Sequence, residues 1–399
     1  MSTITKISGQ VGSISVNATP TEIIPDSLVI DMREEISMAD EDESQFTTFL
    51  MKAKHGTATR EKINWREKDY FPRLVTTSAS YLATATSIVL TAGQGKRVRV
   101  GDVLRNMSIA SGDAYLVTAV ATDTLTVVPV GVKAQQAGAS GDTLLIVGNA
   151  SAQGADYPEV QYLAPTLGYN YTQIFRHGAI FSRTARSVDY YGQGEPSQEE
   201  ALKGVEHKRA IEYTGFWGAR FVTSAAEPTG GAGGLVEFIN TWKDDRSASF
   251  TADDLDTFMR NVLQHASRNS VMFVAPLVAQ RISKMNRGGQ GTSWRPEPQN
   301  VAGLKVDAFL SGVYGYEVPV VVKKDWNDFP TTAALKPYGT WGFVVDLNRV
   351  EYKTLTGGST SLLENRQHPG ADKKASEWLT ECTWEIRNEN SHGYFYGVV

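Results

Sequence analysis

Glu377-Trp378-Leu379-Thr380-Glu381-Cys382-Thr383-Trp384-Glu385-Ile386-Arg387 reads with a period of two. Trp378, Thr380, Cys382, Trp384 and Ile386 share one side, and Leu379, Glu381, Thr383 and Glu385 share the other. Successive side chains of a strand point to opposite faces, so this stretch predicts a long, half-buried strand. Working back from it, residues 341–352, 316–323 and 305–310 also read as strands, and 271–275 as a buried one. Helices lie between them. Thr251 offers a capping hydroxyl, and Asp253 and Asp254 fill a first turn whose amides favour acids. Leu255, Phe258, Met259, Val262 and Leu263 then give an apolar stripe. Pro276 opens a further helix through about residue 285, and a Gly/Pro-rich loop is expected over 287–300. Ser197 with Glu200 three residues on reads as a capping box that opens a long helix to about Val222. The class is α+β.

Upstream, the texture changes. Residues 46–74 mix aromatics and charges around Trp65, Tyr70, Phe71 and Pro72, and read as an extended segment. Short β-branched runs at 87–91, 98–100, 102–109, 114–120, 124–130 and 143–147 are punctuated by Gly101-Asp102, Gly112-Asp113 and Gly141-Asp142. Such spacing predicts a small all-β module over 76–148, inserted into the chain. Residues 1–45 carry no sustained period, and 31–43 hold Asp31, Glu34, Glu35, Asp40, Glu41, Asp42 and Glu43 against Arg33 alone. The bland reading of that run is a solvated arm; the functional one is an arm that orders against a neighbouring subunit.

Composition narrows the function. The 399 residues are 41% hydrophobic, enough for a large core. With 39 basic and 44 acidic residues the net charge is −5, against a dedicated nucleic-acid binder. Cys382 is the single cysteine, so neither an intrachain disulfide nor a thiolate cluster forms. Residues 1–6 lack a secretory pattern, and no run of about 18 apolar residues suggests a membrane span, so a soluble product made in the cytoplasm is expected.

Chemistry is sparse. Gly95-Lys96-Arg97 has no Ser or Thr after the lysine, as a phosphate loop requires, and position 90 is Leu. The run Gly230-Gly231-Ala232-Gly233-Gly234 reads as a flexible hinge. His55, His177, His207, His265, His368 and His392 are scattered, with no i, i+4 pair for a metal. Glu199-Glu200 and Asp253-Asp254 suit helix starts. No catalytic, cofactor-binding or metal-ligating residues are assigned. Lys96, Arg97, Arg99 and Arg105 cluster in the β module, as ordinary surface charge or as a contact for DNA or a neighbour's acidic arm.

The order of elements resembles the major capsid proteins of tailed bacteriophages, with the Hong Kong 97-type fold. The helix over 251–268, the strand and proline-started helix over 271–285 with Val274-Ala275-Pro276, Tyr314-Gly315-Tyr316-Glu317-Val318-Pro319-Val320 and Trp341-Gly342-Phe343-Val344-Val345-Asp346 carry it. So do the C-terminal 381–393 and, for a subgroup with a β-rich insertion, Gly154-Ala155-Asp156 and 170–175. The resemblance implies an N-terminal arm over 1–48 and an extended loop over 49–75 and 149–192. It further implies a peripheral domain with a spine helix over 193–270 and 340–399, and an axial domain over 271–339. It implies self-assembly into pentamers and hexamers of an icosahedral virion shell around double-stranded DNA, built in the bacterial cytoplasm. Scaffolding and portal proteins are the implied partners, with a cement or decoration protein as a further one; no cofactor and no membrane are implied. Some members of the fold join Lys and Asn side chains between subunits. Lys52, Lys54, Lys62 and Lys68 lie in the right region, but no spacing singles out a set, so no crosslinking is expected. The rival readings are an encapsulin-like nanocompartment shell and a β-rich adhesin or decoration protein.

Overall fold

The computed structural model describes residues 45–109, 114–132, 135–154, 160–187, 195–287, 294–301, 304–310, 315, 317–328 and 338–398. The acidic run 31–43 and the Gly112-Asp113 and Ala155-Asp156 signals lie outside them. The chain divides into two compact units, one from Met1–Ile63 with Tyr169–Val399 and the other from Asn64–Gly168.

In the larger unit the long strand is Lys373–Ile386. It pairs antiparallel with Gln173–Ser182 on one side and with Val350–Leu355 and Ser361–Leu363 on the other; His55–Ala58 completes the sheet beyond Val350–Leu355. Its alternation holds over its middle, where Thr380 and Cys382 are buried between half-buried Leu379 and Glu381. Toward Ile386 both faces are buried: Thr383 is fully enclosed, and Glu385 on the same face pairs with Lys353 and Arg387. A second sheet has seven strands, in the order Lys243–Asp245, Gly393–Tyr396, Gly342–Asp346, Ser270–Val274, Glu317–Val322, Leu304–Leu310, Trp294–Val301. Ser270–Val274 is central and wholly buried, which explains the unbroken apolar run from Val271 to Val274. Helix Ala252–Leu263 starts on the expected Thr251 cap, and the structure adds the reciprocal bond of a capping box: Asp254 N–H donates to the Thr251 hydroxyl, and Thr251 N–H donates to the Asp254 carboxylate at 3.0 Å. One core joins both sheets. The Phe216 ring lies 4.7 Å from that of Phe46, 5.0 Å from Trp326 and 5.0 Å from Phe343, centroid to centroid.

Several expectations are corrected. Residues 46–53, part of the stretch 46–74 read as extended, lie in the helix Gln45–Ala53, and Phe46, Phe49 and Leu50 recur at i, i+3, i+4 on its buried face. The boundary expected between arm and loop at residue 48 therefore falls inside a helix. The long helix spans Glu195–Trp217, starting two residues before Ser197 and ending before Val222; Phe221–Val222 is a short strand. Gln173–Ser182 belongs to the sheet of the long strand, not to an extended loop. Residues 243–245, 342–346 and 393–396, expected in a peripheral layer apart from 271–339, hydrogen-bond into the sheet of Ser270–Val274. The expected loop 287–300 contains the strand Trp294–Val301.

The smaller unit carries six antiparallel strands in the order Leu74–Thr76, Thr143–Asn149, Asp102–Asn106, Ala114–Ala121, Thr124–Val130, Ser87–Val89. The two outer strands meet beyond their ends. Thr77 bridges Leu90, Thr91 N–H donates to Thr76 C=O at 2.8 Å, and Ser78 N–H donates to Val89 C=O at 2.9 Å. The sheet thus closes into a barrel, which removes the edges that an open sheet would expose. Val75, Ile88, Leu104, Tyr115, Val117, Leu125, Val127 and Leu144 fill it, from alternate positions of their strands. Residues 98–100 are not a strand; Val98 follows a 3-10 turn, Gly95–Arg97, and only its side chain joins the core.

Candidate functional site

Among the described residues, no group of three or more His, Cys, Asp or Glu is placed to hold a metal ion. The Gly93 and Gly95 amides donate to Asp123 at 3.0 and 2.9 Å, so that loop already holds a carboxylate of its own chain. Those bonds keep the Asp123 carboxyl below the usual carboxylate range. Cys382 is buried mid-strand beside Tyr352, and burial pushes its thiol up to about 12, far from a nucleophile. The run Gly230–234 is no hinge. Gly233 exchanges hydrogen bonds with the Asn170 side chain at 2.8 and 3.0 Å, and Gly234 N–H donates to Gly218 C=O at 2.8 Å. A Cβ on Gly234 would overlap the Thr214 carbonyl oxygen, so glycine serves close packing against the end of the long helix.

The polar groups that do converge hold elements together. Glu212, on the long helix, accepts from Phe46 N–H and Thr47 N–H at 2.9 Å each and from the Thr47 hydroxyl at 2.8 Å. Its carboxylate thus sits at the N-terminus of helix Gln45–Ala53, where free amides and the helix dipole favour an anion. Lys323, fully buried where Glu317–Val322 ends, donates to Glu212 Oε1 at 3.0 Å and lies 3.6 Å from Asp325. One carboxylate thereby ties together three segments that are far apart in sequence.

A second convergence joins the long helix to the sheet. His207 Nδ1 lies 3.0 Å from His177 Nδ1, His207 Nε2 lies 2.7 Å from the Thr380 hydroxyl, and that hydroxyl donates to Thr360 Oγ1 at 2.8 Å. Burial, and then His177, lower the His207 pKa to about 4. His392 is buried apart from this pair; Asp346 N–H donates to its Nδ1, and burial lowers its pKa to about 4. Both histidines are neutral structural groups at neutral pH. Spacing in the sequence carried no signal for either convergence.

Of the lysines weighed for crosslinking, Lys52 is exposed, and Lys54 donates to the Asn348 carbonyl. Lys62 lies 4.1 Å from the Tyr169 ring centroid, and Lys68 lies 5.0 Å from that of Tyr162. The larger unit instead offers surface for association. Among the described residues Gln173–Ser182 ends its sheet, with no strand paired on one side of its backbone, and Ile174 and Ile180 stand 58% and 61% exposed. Such an edge seeks a partner. No helix is long and apolar enough to cross a membrane among the described residues.

The chain is similar to solved capsids. It resembles the capsid of the native GTA particle at 9% identity and a TM-score of 0.50, over 96% of this chain and 100% of that one. It is similar to the chain of Gordonia phage Cozz at 10% identity and a TM-score of 0.47, over 97% and 99%. The SrpI encapsulin of Synechococcus elongatus matches at 13% identity and a TM-score of 0.39, over 61% and 77%. No curated protein matches the sequence. The model of the SU10 major capsid protein family matches residues 7–398. The chain belongs to the SU10 major capsid protein family, and is a structural capsid subunit of the tailed-phage kind rather than an enzyme.

Proposed function

We propose that the chain closes an icosahedral shell by forming pentamers and hexamers, and that the shell encloses double-stranded DNA held without sequence preference on its inner face. The family match over residues 7–398 carries this reading. The sheet of Lys373–Ile386 and the long helix supply the peripheral part, and the seven-stranded sheet with its helices supplies the part that converges on the symmetry axes. The residues before 45 and the paired strands Lys62–Glu67 and Thr166–Tyr171 supply reach across to neighbours. Heterologous contacts of this kind close into rings. Their combined area is of the obligate class, roughly 2,000 Å² or more per subunit. Assembly takes place in the host cytoplasm with a separate scaffolding protein and a portal, and a cement protein can bind outside.

Sedimentation of the purified chain, alone when concentrated and with its scaffold, tests this reading. Pentamers, hexamers or megadalton particles are expected. A monodisperse monomer under both conditions would overturn it, and a small fixed oligomer would favour the adhesin.

A further inference from the structure

The barrel unit holds a cavity of about 170 Å³ whose lining includes Arg73, Arg97 and Arg99. One acid, the buried Asp102, shares that lining. Its carboxylate is already committed: Arg99 N–H donates to it at 2.9 Å, Arg99 Nε at 3.3 Å and Asn149 Nδ2 at 3.1 Å. Arg97 reaches only the Leu74 carbonyl oxygen at 3.4 Å, and among the described residues the exposed Arg73 guanidinium has no ion-pair partner. Three arginines against one carboxylate, already engaged by Arg99, leave a surplus of positive charge along the lining. Lys96 stands exposed next to Arg97, and its carbonyl accepts from the cavity residue Gln161. Planar forks of N–H donors suit carboxylates and phosphates.

We propose that this cavity receives the acidic arm segment, residues 31–43, of a neighbouring copy of the chain. That segment holds seven acids against one arginine, the complement of the cavity's charge. It ends two residues before helix Gln45–Ala53, which Glu212 fastens to the larger unit. Extended chain spans at most about 3.5 Å per residue, so thirteen residues reach up to about 45 Å. A DNA backbone fits less well. Nucleic-acid surfaces are broad and strongly positive, whereas this cavity is small and the chain is net acidic. The inference rests on the shell reading only in needing copies to meet.

The test mixes isotope-labelled and unlabelled full-length chains before assembly and treats the product with a carbodiimide, which joins carboxylates to amines in direct contact. Lys96 is the reporting amine. Crosslinks between Lys96 and residues 31–43 are expected as mixed-isotope pairs. They should fall at least fivefold in Arg73→Gln/Arg97→Gln and persist in Arg73→Lys/Arg97→Lys, with unchanged circular dichroism in both. Single-isotope pairs only, no such crosslinks, or crosslinks indifferent to the glutamines would each overturn the proposal. So would crosslinks left intact by the glutamine variant while its affinity for a 20-base-pair duplex collapses, which would assign the cavity to nucleic acid. Shells that form without these crosslinks sink this inference alone; absence of any assembly sinks the shell reading itself.

Discussion

Glu212→Ala should cost more stability than any other single polar substitution in the larger unit. The carboxylate accepts two backbone amides, one hydroxyl and one ammonium, all buried. Its removal strands three donors and leaves Lys323 with Asp325 at 3.6 Å. An orphaned buried donor costs about 1–3 kcal/mol and breaking a buried pair about 3–5 kcal/mol, and the two overlap. A loss of about 4–5 kcal/mol follows. Lys323→Met leaves the carboxylate its other three donors and should cost less, about 2–3 kcal/mol for one charge-assisted bond. The double variant should be milder than the sum of the singles by at least about 1 kcal/mol, because the groups share a network. Urea unfolding of unassembled subunits, followed through the fluorescence of buried Trp326 and Trp384, measures all three. Trypsin adds a local readout, since loosening the Glu212 anchor should speed cleavage after exposed Lys52. Costs below about 1 kcal/mol for both singles, or strict additivity, would refute the reasoning.

Further expectations concern other parts of the molecule. His207 and His392 titrate near pH 4 in the folded chain against 6.5 unperturbed. The unfolded chain therefore binds more protons between those values, and stability should fall as pH drops from 6.5 to 4, by up to about 3 kcal/mol per histidine. His207→Gln should flatten the lower part of a plot of urea midpoint against pH; an unchanged slope would exclude this histidine. Gly234→Ala should cost about 1–3 kcal/mol, because the added methyl displaces the Thr214 carbonyl; a neutral melt would show that the turn relaxes freely. Residues 72–150 expressed alone should melt cooperatively with a β-type spectrum, and a random-coil spectrum would mean that the barrel needs the larger unit. Boiled mature particles should run as one band near 43.6 kDa, and a ladder would reveal crosslinking.

Local periodicity made part of this architecture readable. The period of two at 377–387, the Thr251 cap and the barrel strands other than 98–100 are properties of neighbouring residues, and they appear where the pattern placed them. Helix Gln45–Ala53 also had a signal, in Phe46, Phe49 and Leu50, but the aromatic and charged texture that follows it masked the helical spacing. What stayed hidden depends on distant partners. Glu212 and Lys323 are 111 positions apart, and Asn170 and Gly233 are 63 apart. A glycine run reads as freedom until the Asn170 amide and the end of the long helix are placed around it. Barrel closure likewise rests on Thr77 meeting Leu90, which no strand pattern contains. The Arg-lined cavity was half legible. Lys96, Arg97, Arg99 and Arg105 are near in sequence, but the structure brings in Arg73 and leaves Arg105 out of the lining.

The most direct measurement is cryo-electron microscopy of the chain assembled with its scaffold. Closed particles with icosahedral symmetry are expected, each subunit showing both sheets, the long helix and the six-stranded barrel. Monomers or small open oligomers as the only species, or closed particles whose density cannot accommodate this fold, would contradict a shell-building function.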